Sequence, residues 1–239
     1  MPYAKSSLYK LINGNNFLKE MRGGSTENMT TVFQLMSEKK QFLLLTFANL
    51  IIQLGITYYV MEKYTSTLRT YENVGLVILL FVILIGMSMI PMPSWAKFLL
   101  FSILSAILGL FLSSLKTHIS PEIINLAIVG TISIYGIMFL IGLFLLMTGI
   151  QLSYQFGLAL FYILFALILF EIITYFMGTA SLLHKTFGAI GLILFSFYTI
   201  YDTNHILQRN YYGDFITASM DYYLDILNVF TSLINLTSN

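Results

Sequence analysis

The sequence predicts an all-α integral membrane protein with seven transmembrane helices, and three observations predict it. Hydrophobic residues make up 57% of the chain and charged residues only 10%, where a water-soluble domain carries about a quarter charged. The mean hydropathy is +0.81, so lipid rather than water solvates most of the chain. Seven apolar stretches follow one another, each close to the roughly 20 residues that a spanning helix needs. Helices are the expected form, because backbone groups in hydrocarbon must pair within their own segment and these segments are too long for barrel strands.

Helix one is expected from about Phe42 to Met61, an apolar run with Asn49 and Gln53 set into it. Helix two follows from Val74 to Ile90 and stops at the PMPS breaker, residues 91–94. Helix three, Phe98 to Leu115, ends before the SPE sequence at 120–122. Helix four is the long run from Ile123 to about Met147. Helix five runs from about Phe156 to Met177 and meets Gly178. Helix six starts near Thr186 and passes through YTIYDTNHIL, and helix seven covers Phe215 to Leu236. Proline and glycine at these junctions are the residues that interrupt helices.

Lysines and arginines set the orientation. A cytosolic N-terminus puts Lys5, Lys10, Lys19, Arg22, Lys39, Lys40, Lys97 and Arg209 on the cytosolic side, against Lys63, Arg69, Lys116 and Lys185 on the other. The bias favours that orientation and places Asn239 outside the cytosol. Residues 1–40 mix polar, glycine and charged positions and read as a cytosolic N-terminal tail, with a short interfacial helix near VFQLMSEKK. Residues 41–239 form the seven-helix transmembrane domain. No apolar run of signal-peptide length occurs in the first forty residues, so helix one is expected to direct targeting. The net charge of +1 points to no nucleic-acid partner. The absence of cysteine excludes disulfides, zinc–thiolate sites and a cysteine nucleophile. No repeat argues for an inverted-repeat transporter.

Four acids lie within or near apolar segments: Glu171, Asp202, Asp221 and Asp225. Insertion scales put the cost of each at about 2.5 to 3.5 kcal/mol in mid-helix. No Lys or Arg stands well inside any apolar segment, so the acids must share protons, hold a cation or face water. A hairpin of helices six and seven, turning at Tyr212, Gly213 and Asp214, sets Asp202 and Asp225 each about eleven residues, or roughly 17 Å, from the turn. Gly213 permits the turn and Asp214 can cap helix seven. The two aspartates are then expected at equal depth on neighbouring helices, in the cytosolic half of the bilayer.

Two carboxylates in contact at low dielectric cannot both ionise readily and titrate as a unit. A shared proton locks the helices together. Its loss substitutes repulsion, which a hard divalent cation held by Asp202 and Asp225 relieves through oxygen ligands. The plainer reading is that both acids stay protonated and only join helices. Asp221, one turn before Asp225 on the same face, either widens a cation path or touches interfacial water. His205, three residues after Asp202, either tunes its proton affinity or is a polar residue at the membrane edge. Glu171, in the outer half of helix five, either lines an outer vestibule or faces the bundle interior as a neutral acid. Asn49, Gln53 and Asn228 are expected to hydrogen-bond between helices.

The segment from Phe195 to Leu236 resembles the C-terminal signature of the Bax inhibitor motif family, which includes the Lifeguard and Golgi anti-apoptotic proteins. The residues that carry this are Tyr201, Asp202 and Thr203, then YLDILNVF from Tyr223 to Phe230. Gln53, Leu54 and Thr57 are similar to the family's Q-L-x-x-T pattern, and Ser105, Gly109 and Ser113 to the small-residue spacing of the Lifeguard branch. The resemblance covers about residues 35 to 236. It implies a seven-helix fold with helix seven central, and a pH-sensitive calcium leak through a di-aspartyl site on Asp202 and Asp225. It implies calcium as the permeant ion, with no bound cofactor and no enzymatic activity. It also implies suppression of cell death, together with cell-death regulatory membrane proteins as partners beside the lipid bilayer. The membrane implied is endoplasmic reticulum or Golgi for a eukaryotic or viral chain and the plasma membrane for a bacterial one. Three departures stand out. Asp221 occupies a position where relatives commonly have Asn, helix two lacks the arginine that some relatives pair with the helix-six aspartate, and an acid found on helix three of some relatives is missing.

Two other functions compete. A non-conducting regulator of apoptosis would act through partner helices, and reconstituted calcium flux separates it from a channel. An intramembrane aspartyl protease also uses two membrane aspartates, but its Gly-x-Gly-Asp motif is absent, since Tyr211-Tyr212-Gly213-Asp214 lacks the first glycine.

Overall fold

A computed structural model describes residues 34, 36–65, 70–177, 180–208 and 213–237. From residue 40 onward the described residues fold into seven α-helices and no strand. They are α1 (Lys40–Lys63), α2 (Thr70–Met89), α3 (Ser94–Ser113), α4 (Pro121–Met147), α5 (Tyr154–Phe176), α6 (Ala180–Gln208) and α7 (Phe215–Thr237), with a 3₁₀ turn at Ser114–Thr117 after α3. Most of the tail and the residues Gly178, Arg209 and Tyr212, which entered the sequence reading, lie outside the described residues.

Five helices are long and apolar enough to cross a membrane: α1, α3 with its 3₁₀ turn, α4, α5 up to Thr174 and α6 from Leu183. The apolar part of α2, Gly75–Met89, is shorter. α7 has 23 residues but does not qualify on composition, because Asp221, Asp225 and Asn228 interrupt its apolar positions. The seven expected spans therefore divide into five that qualify alone and two that do not. α6 begins at Ala180 rather than near Thr186. His184 and Lys185 read as loop in the sequence but are exposed residues in its opening turns.

Local chemistry sets the helix ends. Pro121 opens α4 at a position where its missing N–H removes no intrahelical bond. Gly149, at φ 82°, closes α4 while the Ile150 amide donates to the Leu145 carbonyl at 2.8 Å. Gly213, at φ 81°, turns the chain into α7. The Asp214 carboxylate accepts from the Thr217 amide at 3.1 Å, capping α7 as its position suggested.

α7 packs against α6, α1, α4 and α3. Small residues let the other helices approach. A Cβ at Gly109 would lie 2.7 Å from the Thr57 carbonyl oxygen, and one at Gly142 would lie 2.7 Å from that of Ile200, so α3–α1 and α4–α6 meet backbone to backbone at these points. Two ties sort the helix ends. Lys97, at the start of α3, pairs with Asp214. The Lys39 ammonium, just before α1, donates to the carbonyl of Leu207 at 2.9 Å and faces that of Ile206. The starts of α1, α3 and α7 and the end of α6 therefore share one end of the bundle, called here the turn end.

Candidate acid cluster

Along α6 and α7 the register follows from close approaches. Gly188 abuts Asn235, Gly191 abuts Ser232, Thr199 faces the Asp225 carboxyl and Thr203 faces the Tyr222 hydroxyl. This pairing puts Asp202 level with Tyr222. Asp221 lies one residue nearer the turn and Asp225 three residues farther, about 4.5 Å deeper. The equal depth expected for Asp202 and Asp225 is thus replaced by a staggered arrangement, with Asp202 between the two acids of α7. The physical reason is that the packing of the two helices, Gly188 against Asn235 and Gly191 against Ser232, rather than the position of Gly213, sets their register.

All three carboxyls lie within Coulombic range of one another. Asp225 is 4% exposed, and its Oδ2 has no hydrogen-bond partner among the described residues. The same holds for the hydroxyls of Tyr222, Thr203 and Tyr135. Tyr135, on α4, stands edge-on to Tyr222 with ring centroids 5.8 Å apart and within the field of Asp202 and Asp225. Oxygens from three helices therefore converge on one buried region where several of them find no hydrogen-bond partner among the described residues. Buried polar atoms are paired as a rule, and their exceptions mark places where water, an ion or movement has a role. None of α4, α5 and α7 carries a Lys or Arg, and the nearest on the described residues of α6 is Lys185.

The region is held on its other sides. Phe47 stacks on Tyr222 with centroids 5.8 Å apart. The Asn204 amide, buried completely, donates to the Ile150 carbonyl at 3.0 Å and accepts from the Leu152 amide at 2.9 Å. It fastens the α4–α5 connection to α6 two residues from Asp202. His205 stacks on Tyr201, centroids 5.2 Å apart. Glu171 is not part of this cluster. It lines a separate groove with His184, and His184 is 18 residues from Asp202 on α6, about 27 Å along the helix.

Sequence reasoning missed Tyr135 and Tyr222 as neighbours of the cluster, and Lys39 as a buried tie to the end of α6. The YLD motif of Tyr223, Leu224 and Asp225 follows directly on Tyr222, three residues before Asp225, but nothing in the sequence reports which side of α7 faces α4. Lys39 was read as tail. It is 5% exposed, and burial lowers its ammonium to about 8.

A family model described as inhibitor of apoptosis-promoting Bax1 matches residues 39–239. The chain belongs to the Bax inhibitor family. Among curated members, Bax inhibitor 1 of Schizosaccharomyces pombe is 28% identical over 160 residues, 65% of this chain and 57% of that protein. Protein LIFEGUARD 1 of Arabidopsis thaliana is 35% identical over 80 residues, 34% of each chain. An uncharacterized protein of Campylobacter jejuni is 36% identical over a stretch of the same length, 34% of each chain. The matched stretches thus span from about a third to a little over half of these relatives. Membership of the Bax inhibitor family and the long apolar helices together make this an integral membrane protein of a family linked to control of cell death.

Proposed function

We propose that the chain is a proton-gated calcium leak channel whose gate is the Asp202, Asp221 and Asp225 cluster, and that its leak serves the suppression of cell death. The observation that carries this reading is the meeting of three acids with unpartnered oxygens of Tyr135, Tyr222 and Thr203 in one buried region. With a proton held between Asp202 and an acid of α7, the helices are joined and the path is shut. As pH rises and the proton leaves, repulsion between carboxylates in a low dielectric pushes α6 from α7. A divalent cation then finds carboxylate and hydroxyl oxygens, the ligands that calcium prefers. The staggered acids offer the ion successive sites about a helical turn apart rather than a single ring. In this reading all seven helices cross the bilayer, with α7 central because it packs against four others. The turn end faces the cytosol of an endoplasmic reticulum, Golgi or bacterial plasma membrane. The protein conducts rather than catalyses, and His205 modulates proton affinity from its stack on Tyr201.

The test is calcium flux into liposomes holding the purified full chain, from mildly acidic to mildly basic buffer. Flux rises with pH in this reading. Folded protein that passes no calcium in any buffer would refute it and leave the non-conducting regulator acting through partner membrane proteins.

A further inference from the structure

At the end of the bundle away from the acid cluster, α5, α6 and α7 border an open groove of about 440 Å³. Its polar lining comes from one residue of each helix: Glu171, His184 and Asn235. Its walls are Ile168, Ile172, Phe176 and Phe187. Glu171 sits in a helix otherwise free of charge. Among the described residues only its backbone carbonyl is engaged, by the Thr174 hydroxyl. A carboxyl beside lipid is costly unless a donor or cation meets it.

The polar residues share one level. Glu171 is five residues from the end of α5, His184 four residues into α6 and Asn235 two residues from the end of α7. They therefore lie roughly 3 to 8 Å inside the helix ends, the depth at which a lipid head group meets its acyl chains. The chemistry is also divided. Glu171 supplies acceptors for a cation, while His184 and Asn235 supply N–H donors for an anion. An apolar wall continues from this rim along α5.

We propose that this pocket binds a phospholipid with a zwitterionic head group ending in a primary ammonium. The ammonium donates charge-assisted hydrogen bonds to Glu171, the phosphate accepts from His184 and Asn235, and the first acyl methylenes lie on Ile172 and Phe187. A choline head group carries the same charge but has no N–H to donate, and a glycerol head group brings no cation. The pocket therefore discriminates by the proton donors on nitrogen rather than by net charge. The inference does not depend on the gate, since the two sites occupy opposite ends of α6.

Native mass spectrometry of the detergent-purified full chain with phosphatidylethanolamine, phosphatidylcholine and phosphatidylglycerol of identical acyl chains tests this. The expected result is retention of phosphatidylethanolamine about fivefold above either competitor, the discrimination that charge-assisted hydrogen bonds to one partly exposed carboxylate supply. Glu171→Gln, which keeps the shape, should bring the ethanolamine and choline lipids to parity. His184→Phe should weaken both zwitterionic lipids alike. Asp225→Asn should leave the fivefold preference intact, whatever it does to calcium flux. Equal retention of the ethanolamine and choline lipids by the wild-type protein, or an undiminished preference in Glu171→Gln, overturns the proposal.

Discussion

Tyr222 and Tyr223 are neighbours in the chain, both are fully buried, and they face opposite conditions. On the Tyr223 side, α7 meets α1 and α3 through a closed network. The Tyr223 and Thr57 hydroxyls lie 2.5 Å apart, and the Thr57 hydroxyl donates to the Ser105 carbonyl at 3.0 Å. Ser105 donates to Gln53 at 2.9 Å, Gln53 donates to Ser102 and Asn49, and Asn49 donates to Ser219 at 2.5 Å. On the Tyr222 side, α7 meets α4 and α6 where Asp225 Oδ2 and the hydroxyls of Tyr222, Thr203 and Tyr135 lack hydrogen-bond partners among the described residues. One flank of the helix is bolted by hydrogen bonds, while the other packs closely on α6 yet leaves buried polar atoms without partners among the described residues.

The largest expected effect falls on the open flank. Asp225→Asn and Asp202→Asn should each abolish most of the pH response of calcium flux, leaving a nearly flat profile in liposomes. An unchanged profile in both variants would remove the functional distinction between the flanks. On the bolted flank the effect should appear in stability instead. Gln53→Ala strands Ser105, Ser102 and Asn49 and should cost about 2 to 3 kcal/mol in denaturant unfolding of the detergent-solubilised protein.

The tyrosine pair sharpens the contrast with matched chemistry. Tyr223→Phe should cost about 1 kcal/mol, whereas Tyr222→Phe should cost less, because its hydroxyl has only a weak contact with Thr203 to lose. Equal losses in the two variants would show that both flanks are satisfied alike. The smallest effect concerns the cap that starts the helix. Burial opposes ionisation of Asp214, but hydrogen bonds from Lys97 and Thr217 outweigh it and hold the carboxyl below its ordinary value of 3.8. Its folded-state pKa is depressed, so its contribution is complete above about pH 4 and fades as pH falls through the folded value. Asp214→Ala should cost about 1 kcal/mol at neutral pH, and the deficit should shrink in acid melts.

Much of this was legible in the residues. Apolar run length located the helices, because hydrocarbon leaves the backbone no partner but its own segment. Gly213 and Asp214 announced the turn and cap through conformation and hydrogen-bond reach that depend on those residues alone. Acids without basic companions announced a site, because charge in lipid is expensive wherever it falls. Periodicity could not supply the rotation of α7 about its own axis or its slide along α6. Both follow from how side chains of distant segments interlock: Gly191 against Ser232, Thr199 against Asp225, Phe47 on Tyr222. Those contacts set Asp202 between two acids rather than level with one and brought Tyr135 to the cluster, whereas the place of Glu171 in the outer half of its helix was already legible in the sequence. The contacts depend on shape complementarity between helices far apart in the chain, which a one-dimensional pattern does not encode.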